Sequence, residues 1–353
     1  MGVVGAGYAG KMHLSIFKNM KNVEIKTICD INQDVLIKVA QEFGIPTYHT
    51  DFNTMISETK LDFITLCTPP RTHASLCIKA IESGLHVLVE KPFTETAQEA
   101  LSILNALENT NNIKVGVIHD WLFSRTIQKA RELVENGEIG SILNVNIIEV
   151  APIDIDPFIS NMNHWCHKIP GGRICESLPH QVYLTQEFIH KPKFSNILAK
   201  KMCNVPWVSF DEALITLESD SSIGSIYWSR NVGKYDYLIY LIGSEGTIKI
   251  DLVRGIIVKI RRSSILNKYV NIHYTLGEIR QSLSSFISYN GRCLLRKCGI
   301  NQAYYTPHEA CFNSFIDSII NNREPYINAQ KGYDCVLLVE EICTFLQKLL
   351  ENK

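Results

Sequence analysis

The chain opens with Met1-Gly-Val-Val-Gly5-Ala-Gly7-Tyr-Ala-Gly10, and this stretch decides the fold of its first part. A short apolar strand runs into a Gly-x-Gly-x-x-Gly turn, and the apolar pattern that follows is typical of a helix. In such a turn the first glycine permits the tight bend, the second lets a pyrophosphate approach the backbone, and the third allows close helix-strand packing. The three glycines, with Tyr8 and Ala9 between them, are therefore predicted to bind a dinucleotide.

A predicted second strand, residues 23–29, ends in Asp30, twenty residues beyond Gly10. In dinucleotide-binding domains, a carboxylate at about this spacing from the glycine turn accepts hydrogen bonds from the ribose hydroxyls. The same charge repels a 2′-phosphate, and Ile31 and Asn32 offer no cation to hold one. The sequence thus predicts NAD as the cofactor, with NADP the less favoured alternative.

Apolar strands and helical segments then alternate. Strands are predicted at 63–67, 87–89 and 114–118, and helices at 33–43, 73–83 and 96–109. Such alternation is typical of a doubly wound parallel sheet. We expect a Rossmann domain over residues 1–120.

Three further motifs follow in order. They are Thr68-Pro-Pro-Arg-Thr-His73, Glu90-Lys91-Pro92, and Gly171-Gly172-Arg-Ile-Cys-Glu176-Ser-Leu-Pro-His180. With the glycine turn, they resemble the glucose-fructose oxidoreductase and inositol dehydrogenase (Gfo/Idh/MocA) family over nearly the whole chain. The resemblance implies a second, α+β domain with a large, mostly antiparallel sheet, whose open face joins subunits into homodimers or homotetramers.

The strand signals beyond residue 120 agree with a second α/β domain over 121–353. Apolar or alternating runs cover 142–150, 197–201, 213–218, 223–228, 237–242 and 247–251, and a final helix is predicted over 333–350. A sheet face left open needs a cover, which a second subunit or helices would supply.

The resemblance implies an oxidoreductase that moves hydride between nicotinamide and a secondary alcohol or ketone of a sugar, polyol or nucleotide-diphosphate sugar. Such chemistry needs a group that titrates near neutrality and a donor that stabilises negative charge on oxygen. His180 is assigned as the acid/base and Lys91 as the cation that orients the hydroxyl. The family further implies a cis Lys91-Pro92 peptide, and which of the two side chains takes the proton stays open.

Glu176 lies four residues before His180, a spacing that allows both on one helix face. We assign Glu176 to the catalytic group, although the family more often has aspartate there. Because Pro179 disfavours a helix interior, Glu176 is expected just before the helix begins. Tyr183 stands where the commonest motif has a second aspartate, and it is predicted to bind substrate.

The remaining predicted contacts follow the strand ends and one loop. Cofactor contacts are assigned to Thr68, Pro69, His73, Glu90 and Lys91, and substrate contacts to His119, Asp120, Trp165 and Tyr183. Histidines also cluster near Trp165, but His-x-x-x-His and His-x-Glu spacings are missing from the sequence, so no metal is predicted.

Composition limits the class of protein. The net charge of −1 gives no reason to expect nucleic acid, and no apolar run is long enough to span a membrane. Eleven cysteines without a Cys-x-x-Cys pair are interpreted as reduced thiols in a cytoplasmic protein.

One segment is strongly basic. Residues 254–300 carry nine Lys and Arg against the single acid Glu278. This segment includes an expected insertion at about 263–305, helical around 279–287. Arg292, Arg296 and Lys297 are candidates to bind a substrate phosphate, whereas a solvated or subunit-contacting face is the favoured interpretation.

Two other functions stay open. Some relatives use bound NAD only transiently, so that glycoside cleavage occurs without net redox change. Alternatively, the chain is an NAD-binding sensor without catalysis, which the motifs at Lys91 and His180 disfavour.

Overall fold

The computed structural model describes residues 1–110, 112–261, 268–297 and 306–351, and side chains in helix 268–297 only from 275 to 291. The chain divides into two compact units. Unit 1 comprises Met1–His119 and His308–Leu337, and unit 2 comprises Asp120–Pro307 and Leu338–Lys353.

The sheet of unit 1 has six parallel strands in the order β3-β2-β1-β4-β5-β6. The strands are β1 Gly2–Val4, β2 Thr27–Cys29, β3 Thr47–His49, β4 Phe63–Leu66, β5 His86–Val89 and β6 Val115–Val117. This order is that of the dinucleotide-binding Rossmann fold. The predicted doubly wound sheet is confirmed, and β3 was missed because it is short and largely exposed.

Among the described residues, five α-helices lie between these strands, and three of them begin at side-chain caps. The five helices are α1 Tyr8–Phe17, α2 Gln33–Phe43, α3 Phe52–Glu58, α4 His73–Glu82 and α5 Ala97–Glu108. Asn32 and Asp51 accept backbone N–H groups at the starts of α2 and α3, and Thr96 forms a reciprocal capping box with Glu99 at α5. Each cap accepts hydrogen bonds from backbone N–H groups of the first turn, which have no acceptor within the helix.

Residues 308–337 belong to unit 1, although the sequence placed the whole of 121–353 in the second domain. The Phe312 ring stacks on Phe17 at 4.8 Å between centroids, and Phe315 meets Phe63 edge-on at 6.0 Å. The Val117 N–H donates to the Ile327 carbonyl. The chain therefore returns to the first core to cover apolar side chains of α1, β4 and β6.

The sheet of unit 2 has seven strands in the order β13-β12-β11-β7-β10-β9-β8. They are β7 Ile142–Pro152, β8 Lys193–Lys200, β9 Glu212–Glu218, β10 Ile223–Ser229, β11 Asn231–Gly243, β12 Gly246–Asp251 and β13 Ile256–Arg261. Strands β7 and β10 pair in parallel and the other described pairs are antiparallel. The predicted mostly antiparallel sheet is confirmed, with β13 as an addition.

A row of isoleucines crosses this sheet with one residue from every strand. Their pairing register sets them directly opposite one another: Ile197, Ile215, Ile226, Ile147, Ile239, Ile250 and Ile257. All except Ile257 are at most 4% exposed. Because directly opposite residues share one face of a sheet, this row marks the buried face.

The helices of unit 2 are α6 Arg125–Glu135, α7 Pro157–Ser160, α8 Arg173–Phe188 and α9 Lys268–Lys297, while α10 Pro307–Ile320 and α11 Ala329–Glu351 cross the unit boundaries. Helix α8 lies against β7 and β10. A disulfide joins its Cys175 to Cys343 of α11. The prediction that all cysteines are reduced is therefore wrong for this pair, whose Cα atoms lie 6.0 Å apart, within disulfide range.

Helix α9 covers the edge of the sheet along β13, and it is longer than the helix predicted at 279–287. The Gln281 amide pairs with both the N–H and the carbonyl of Lys259, and the Ser285 hydroxyl donates to the Ile257 carbonyl. These bonds satisfy backbone groups of an edge strand that would otherwise be available to another chain. The side chains of Arg292, Arg296 and Lys297 lie outside the described residues.

None of the helices described in 1–110, 112–261, 268–297 and 306–351 is long and apolar enough to cross a membrane.

We expect Ile239→Ala to lower the stability of unit 2 by about 2–5 kcal/mol, because it removes buried methyl groups from the middle of the isoleucine row. All four tryptophans, at 121, 165, 207 and 228, lie in unit 2, so tryptophan fluorescence during urea unfolding reports on this unit. Ile223→Ala is the matched control, since Ile223 is a strand residue that is 57% exposed. Equal losses in both variants would contradict the assignment of the buried face.

Candidate active site

The glycine turn of unit 1 has the backbone geometry that a dinucleotide site requires. Gly5 has a positive φ of 99°, and a side chain on Gly10 would overlap the Gly5 carbonyl oxygen. Gly7 caps the N-terminus of α1, and apart from its chain neighbours no atom of the described residues lies within 4 Å of the position of a Cβ on it. The turn therefore leaves space in front of a helix N-terminus, where backbone N–H groups favour phosphate.

Asp30 lies beside this turn at the end of β2. Its Oδ2 accepts the Ala6 N–H at 2.7 Å, and its Oδ1 accepts the Asn32 N–H at 2.8 Å. An ionised carboxylate has about four acceptor positions, so ribose hydroxyls can still bind it. These features fit NAD.

Two large apolar side chains flank the site in full contact with solvent. Tyr8 is 90% exposed and Ile31 is 93% exposed. Tyr8 was predicted as a cofactor contact, whereas Ile31 was considered only for its lack of charge. Its exposure directly after Asp30 makes it a candidate to pack against the adenine ring.

His73 ties two predicted cofactor loops together. It has no exposed surface, and its Nε2 faces the Thr68 carbonyl at 2.8 Å while its Nδ1 faces the Pro92 and Phe93 carbonyls at 3.1 and 3.2 Å. Burial lowers the pKa of His73 against the opposing effect of these carbonyls. His73 therefore supports the loops that carry Thr68 and Lys91 rather than offering its own surface to a ligand.

Glu90 is held by a histidine that the sequence analysis left unassigned. His13 of α1 is fully buried, with its Nε2 3.0 Å from Glu90 Oε1 and its Nδ1 2.7 Å from the Thr65 hydroxyl. Burial raises the pKa of the Glu90 carboxyl, but His13, His308 and the Lys91 N–H together outweigh this effect and lower the pKa to about 2.

The other oxygen of Glu90 fixes the backbone of the predicted catalytic lysine. Its Oε2 accepts the Lys91 N–H at 2.9 Å, and the Lys91-Pro92 peptide is cis, as the resemblance implies. The backbone position of Lys91 is thus determined by a chain of contacts that starts on α1.

In unit 2 three of the predicted site residues, Asp120, His180 and Tyr183, form one hydrogen-bonded group. The Tyr183 hydroxyl lies 2.8 Å from His180 Nδ1 and 3.3 Å from Asp120 Oδ1, and it accepts the Trp121 N–H at 3.4 Å. Asp120 and Tyr183 are 6% and 2% exposed, whereas the His180 side chain keeps 21% of its surface. His119, the last residue of the first segment of unit 1, is 2% exposed.

Glu176 lies in the first turn of α8, which begins at Arg173. The expectation that Glu176 precedes the helix is wrong, because the helix continues through Pro179. The Arg173 guanidinium donates to Glu176 Oε2 at 2.7 Å, and both residues are under 9% exposed. Glu176 is therefore part of a buried ion pair.

That ion pair belongs to a larger buried network which sequence reasoning missed. Arg230 is 1% exposed and donates to Glu149 at 2.7 Å and to Asp156 at 2.9 Å. Arg173 also donates to Asp156, at 3.0 Å. Burial alone would raise the pKa of Asp156, but the two arginines lower it below its ordinary value. The partners lie far apart in sequence, so no local pattern indicates them.

A cavity of about 750 Å³ adjoins this network. It is lined by residues 152–155 and 230–235, and the polar members are Asp154, Arg230, Asn231, Lys234 and Tyr235. Residues 232–235 lie in a break in the register between β11 and β7, where the pairing of the two strands is interrupted. Its mixture of donors and acceptors suits a small polyhydroxylated molecule.

The loop that carries Trp165 lies before α8. Trp165 is 43% exposed and stacks obliquely on His164 at 5.5 Å, and His167 Nε2 lies 2.9 Å from the Phe158 carbonyl. Within the described residues, no three His, Cys, Asp or Glu side chains are grouped to hold a metal ion.

Comparison with known proteins agrees with this geometry. Residues 1–119 match the Gfo/Idh/MocA family model, an oxidoreductase family with an NAD-binding Rossmann fold. A myo-inositol 2-dehydrogenase of Thermotoga maritima is 25% identical over 265 residues, covering 72% of this chain and 75% of the relative.

Solved structures show the same fold over the whole chain. A myo-inositol 2-dehydrogenase from Lactobacillus plantarum gives a TM-score of 0.76 at 19% identity, covering 99% of this chain and 96% of that chain. The WlbA dehydrogenase from Bordetella pertussis in complex with NADH and UDP-GlcNAcA gives 0.75 at 16% identity, covering 98% and 95%. These matches confirm the predicted fold.

Asp30→Ala is expected to weaken NADH binding by about 10- to 100-fold, because it removes charge-assisted hydrogen bonds to the ribose. NADPH binding is expected to weaken less, since the variant also loses a charge that repels the 2′-phosphate. Titration calorimetry with both cofactors measures the two changes. Asp34→Ala is the control, an exposed acid in the first turn of α2. Equal losses of NADH affinity in the two variants would contradict the role of Asp30.

Proposed function

Because residues 1–119 match the Gfo/Idh/MocA family model of NAD-binding oxidoreductases, we propose that the chain is a member of this family that oxidises a secondary alcohol of a sugar or polyol, or reduces the corresponding ketone. The observation that carries this proposal is the group formed by His180, Tyr183 and Asp120. It provides a partly exposed imidazole whose second nitrogen is held by buried polar groups. Such an arrangement suits a general base.

In the proposed oxidation, His180 accepts the proton of the substrate hydroxyl as the C–H and O–H bonds break and a carbonyl forms. NAD supplies the hydride acceptor when bound. Lys91 orients the hydroxyl and stabilises the developing negative charge on its oxygen. Glu90 supports this role because it anchors the Lys91 backbone.

Hydroxyl-rich substrates are favoured by the lining of the unit 2 cavity. Asp154, Asn231, Lys234 and Tyr235 supply both donors and acceptors there. The T. maritima relative is named for action on myo-inositol, and the WlbA structure contains a UDP-sugar. A polyol, an aldose and a nucleotide-diphosphate sugar are therefore the substrate classes to compare.

We expect the purified protein to form NADH from NAD with at least one member of a panel of these three classes, as measured by absorbance at 340 nm. Lys91→Ala and His180→Ala are expected to lower kcat by about 100-fold or more, because each removes a group that acts on the transferred proton or its oxygen. Lys129→Ala is the control, since Lys129 lies on α6 and its ammonium pairs with Glu132.

Other outcomes of the panel identify the alternatives. Glycoside cleavage that depends on NAD without accumulating NADH would favour a transient redox cycle. Cofactor binding without turnover of any panel member would favour a sensor. Absence of binding to both NAD and NADP would refute the proposal.

We also propose that a second copy of the chain covers the open face of the unit 2 sheet. Opposite the isoleucine face, the pairing register aligns Leu198, Leu214, Tyr227, Ile148 and Leu238 in a row across five strands. Leu198 is 66% exposed and Leu214 is 40% exposed. An apolar row of this length exposed on a sheet is typical of an interface.

Light scattering coupled to gel filtration is expected to give two or four times the 40.0 kDa of one chain. Leu198→Lys combined with Leu214→Lys is expected to shift the mass toward the monomer, because two charges would have to be buried in the interface. Leu101→Lys on α5, at a residue 36% exposed, controls for the added charge. A wild-type protein of 40.0 kDa in solution would contradict the proposal.

The cytoplasm is the compartment we propose. Seven cysteines of the described residues are free thiols, which is usual in a reducing environment. The Cys175–Cys343 disulfide departs from this pattern, and thiol trapping in intact cells measures its redox state.

A further inference from the structure

The Tyr183 hydroxyl occupies the space between a carboxylate and the candidate base. His180 Nδ1 and Asp120 Oδ1 are 3.9 Å apart, which is too far for a direct hydrogen bond. Tyr183 Oη lies 2.8 Å from the first atom and 3.3 Å from the second. The phenol therefore bridges two groups that do not bond each other directly.

The single proton of the Tyr183 phenol restricts which of its neighbours can accept a hydrogen bond from it. A phenol has one proton to donate, and its oxygen accepts the Trp121 N–H at 3.4 Å. In the structure the Tyr183 hydroxyl donates to Asp120 Oδ1 at 3.3 Å, so the one phenol proton is directed to Asp120. The contact at 2.8 Å must then be a donation from His180 Nδ1–H to the phenol oxygen.

We propose that Tyr183 is a positioning residue which relays the charge of Asp120 to His180 and sets its tautomer, with the proton on Nδ1 and the lone pair on Nε2. This proposal rests on the proposed function, since the lone pair on Nε2 is what accepts the substrate proton. After that transfer, both ring nitrogens carry protons, and the Nδ1–H still donates to Tyr183. The positive charge on the ring is stabilised by Asp120 through the phenol.

Packing holds the bridge in place. The rings of Tyr183 and His180 meet edge to face, with centroids 5.6 Å apart and an angle of 74° between them. Tyr183 is 2% exposed. Its ring therefore restricts the orientation of the imidazole even without the hydroxyl. Tyr183→Phe keeps this packing and removes only the hydrogen bonds of the hydroxyl, so the two contributions can be measured separately.

The direct test is the tautomer of His180 in the ligand-free protein. Selective ¹⁵N labelling of histidine at a pH where the ring is neutral, with His180→Ala to assign the signals, reports which nitrogen carries the proton. The wild type is expected to carry it on Nδ1, and Tyr183→Phe is expected to populate the Nε2–H form. Protonated Nε2 in the wild type, or an unchanged tautomer in Tyr183→Phe, would overturn the proposal.

Kinetics provide the second readout. Tyr183→Phe is expected to lower kcat by about 10- to 100-fold while KM changes by roughly twofold or less, because the hydroxyl acts on the base and not on the substrate. Tyr48→Phe, at a tyrosine 47% exposed in unit 1, controls for loss of a phenol. A loss confined to KM would assign Tyr183 to substrate binding instead.

Asp120→Asn provides a further test that does not depend on whether Tyr183→Phe folds. Asp120→Asn retains an acceptor for the phenol but removes the charge, so it is expected to lower kcat less than Tyr183→Phe does. A larger loss in Asp120→Asn would overturn the relay through Tyr183. If the wild type oxidises no substrate, the proposed function fails, and the ligand-free tautomer still decides whether Tyr183 sets the form of His180.

Discussion

Arg230 is 1% exposed, and the pairing of its charge with Glu149 and Asp156 constrains much of unit 2. Removing an ion from water costs several kcal/mol unless partners and hydrogen bonds compensate for it. Glu149 lies on β7, Asp156 lies in the segment after it, and Arg230 joins β10 to β11. The pairing therefore fixes the positions of three segments at once. Arg173 extends the same network to the first turn of α8, the helix that carries His180.

The same requirement operates in unit 1 around Glu90. Its side chain is only 12% exposed, and His13 supplies the compensating partner from α1, the helix that begins at the glycine turn. The carboxylate in turn accepts the Lys91 N–H. The turn that fits a dinucleotide and the lysine proposed for catalysis are consequently joined through one buried histidine, and displacement of α1 would affect both.

Local patterns sufficed for the motifs and for every strand except β3 and β13, because strand periodicity and glycine turns depend on neighbouring residues. They did not reveal pairs that the fold brings together over long sequence separations. His13 and Glu90 are 77 residues apart, Asp120 and Tyr183 are 63 apart, and Cys175 and Cys343 are 168 apart. Residues 308–337 illustrate the same point, since nothing in their sequence indicates that they return to the first core. The start of α8 was misplaced because Pro179 was taken to exclude a helix interior.

The pairing of cations with carboxylates in unit 2 also limits which substrate groups these cations can bind. Arg173 and Arg230 are ion-paired within unit 2, and so are Arg254 and Lys259 at the start of the basic segment. Using Arg230 to bind a phosphate would leave a buried carboxylate without its partner, and breaking such a pair costs about 3–5 kcal/mol. Hydroxyl groups of a neutral sugar can instead bind Asn231 or Tyr235 in the adjoining cavity without breaking any ion pair of the network. The buried network is thus better matched to the sugar portion of a substrate than to a phosphate, and a nucleotide-diphosphate sugar would need other cations for its phosphates.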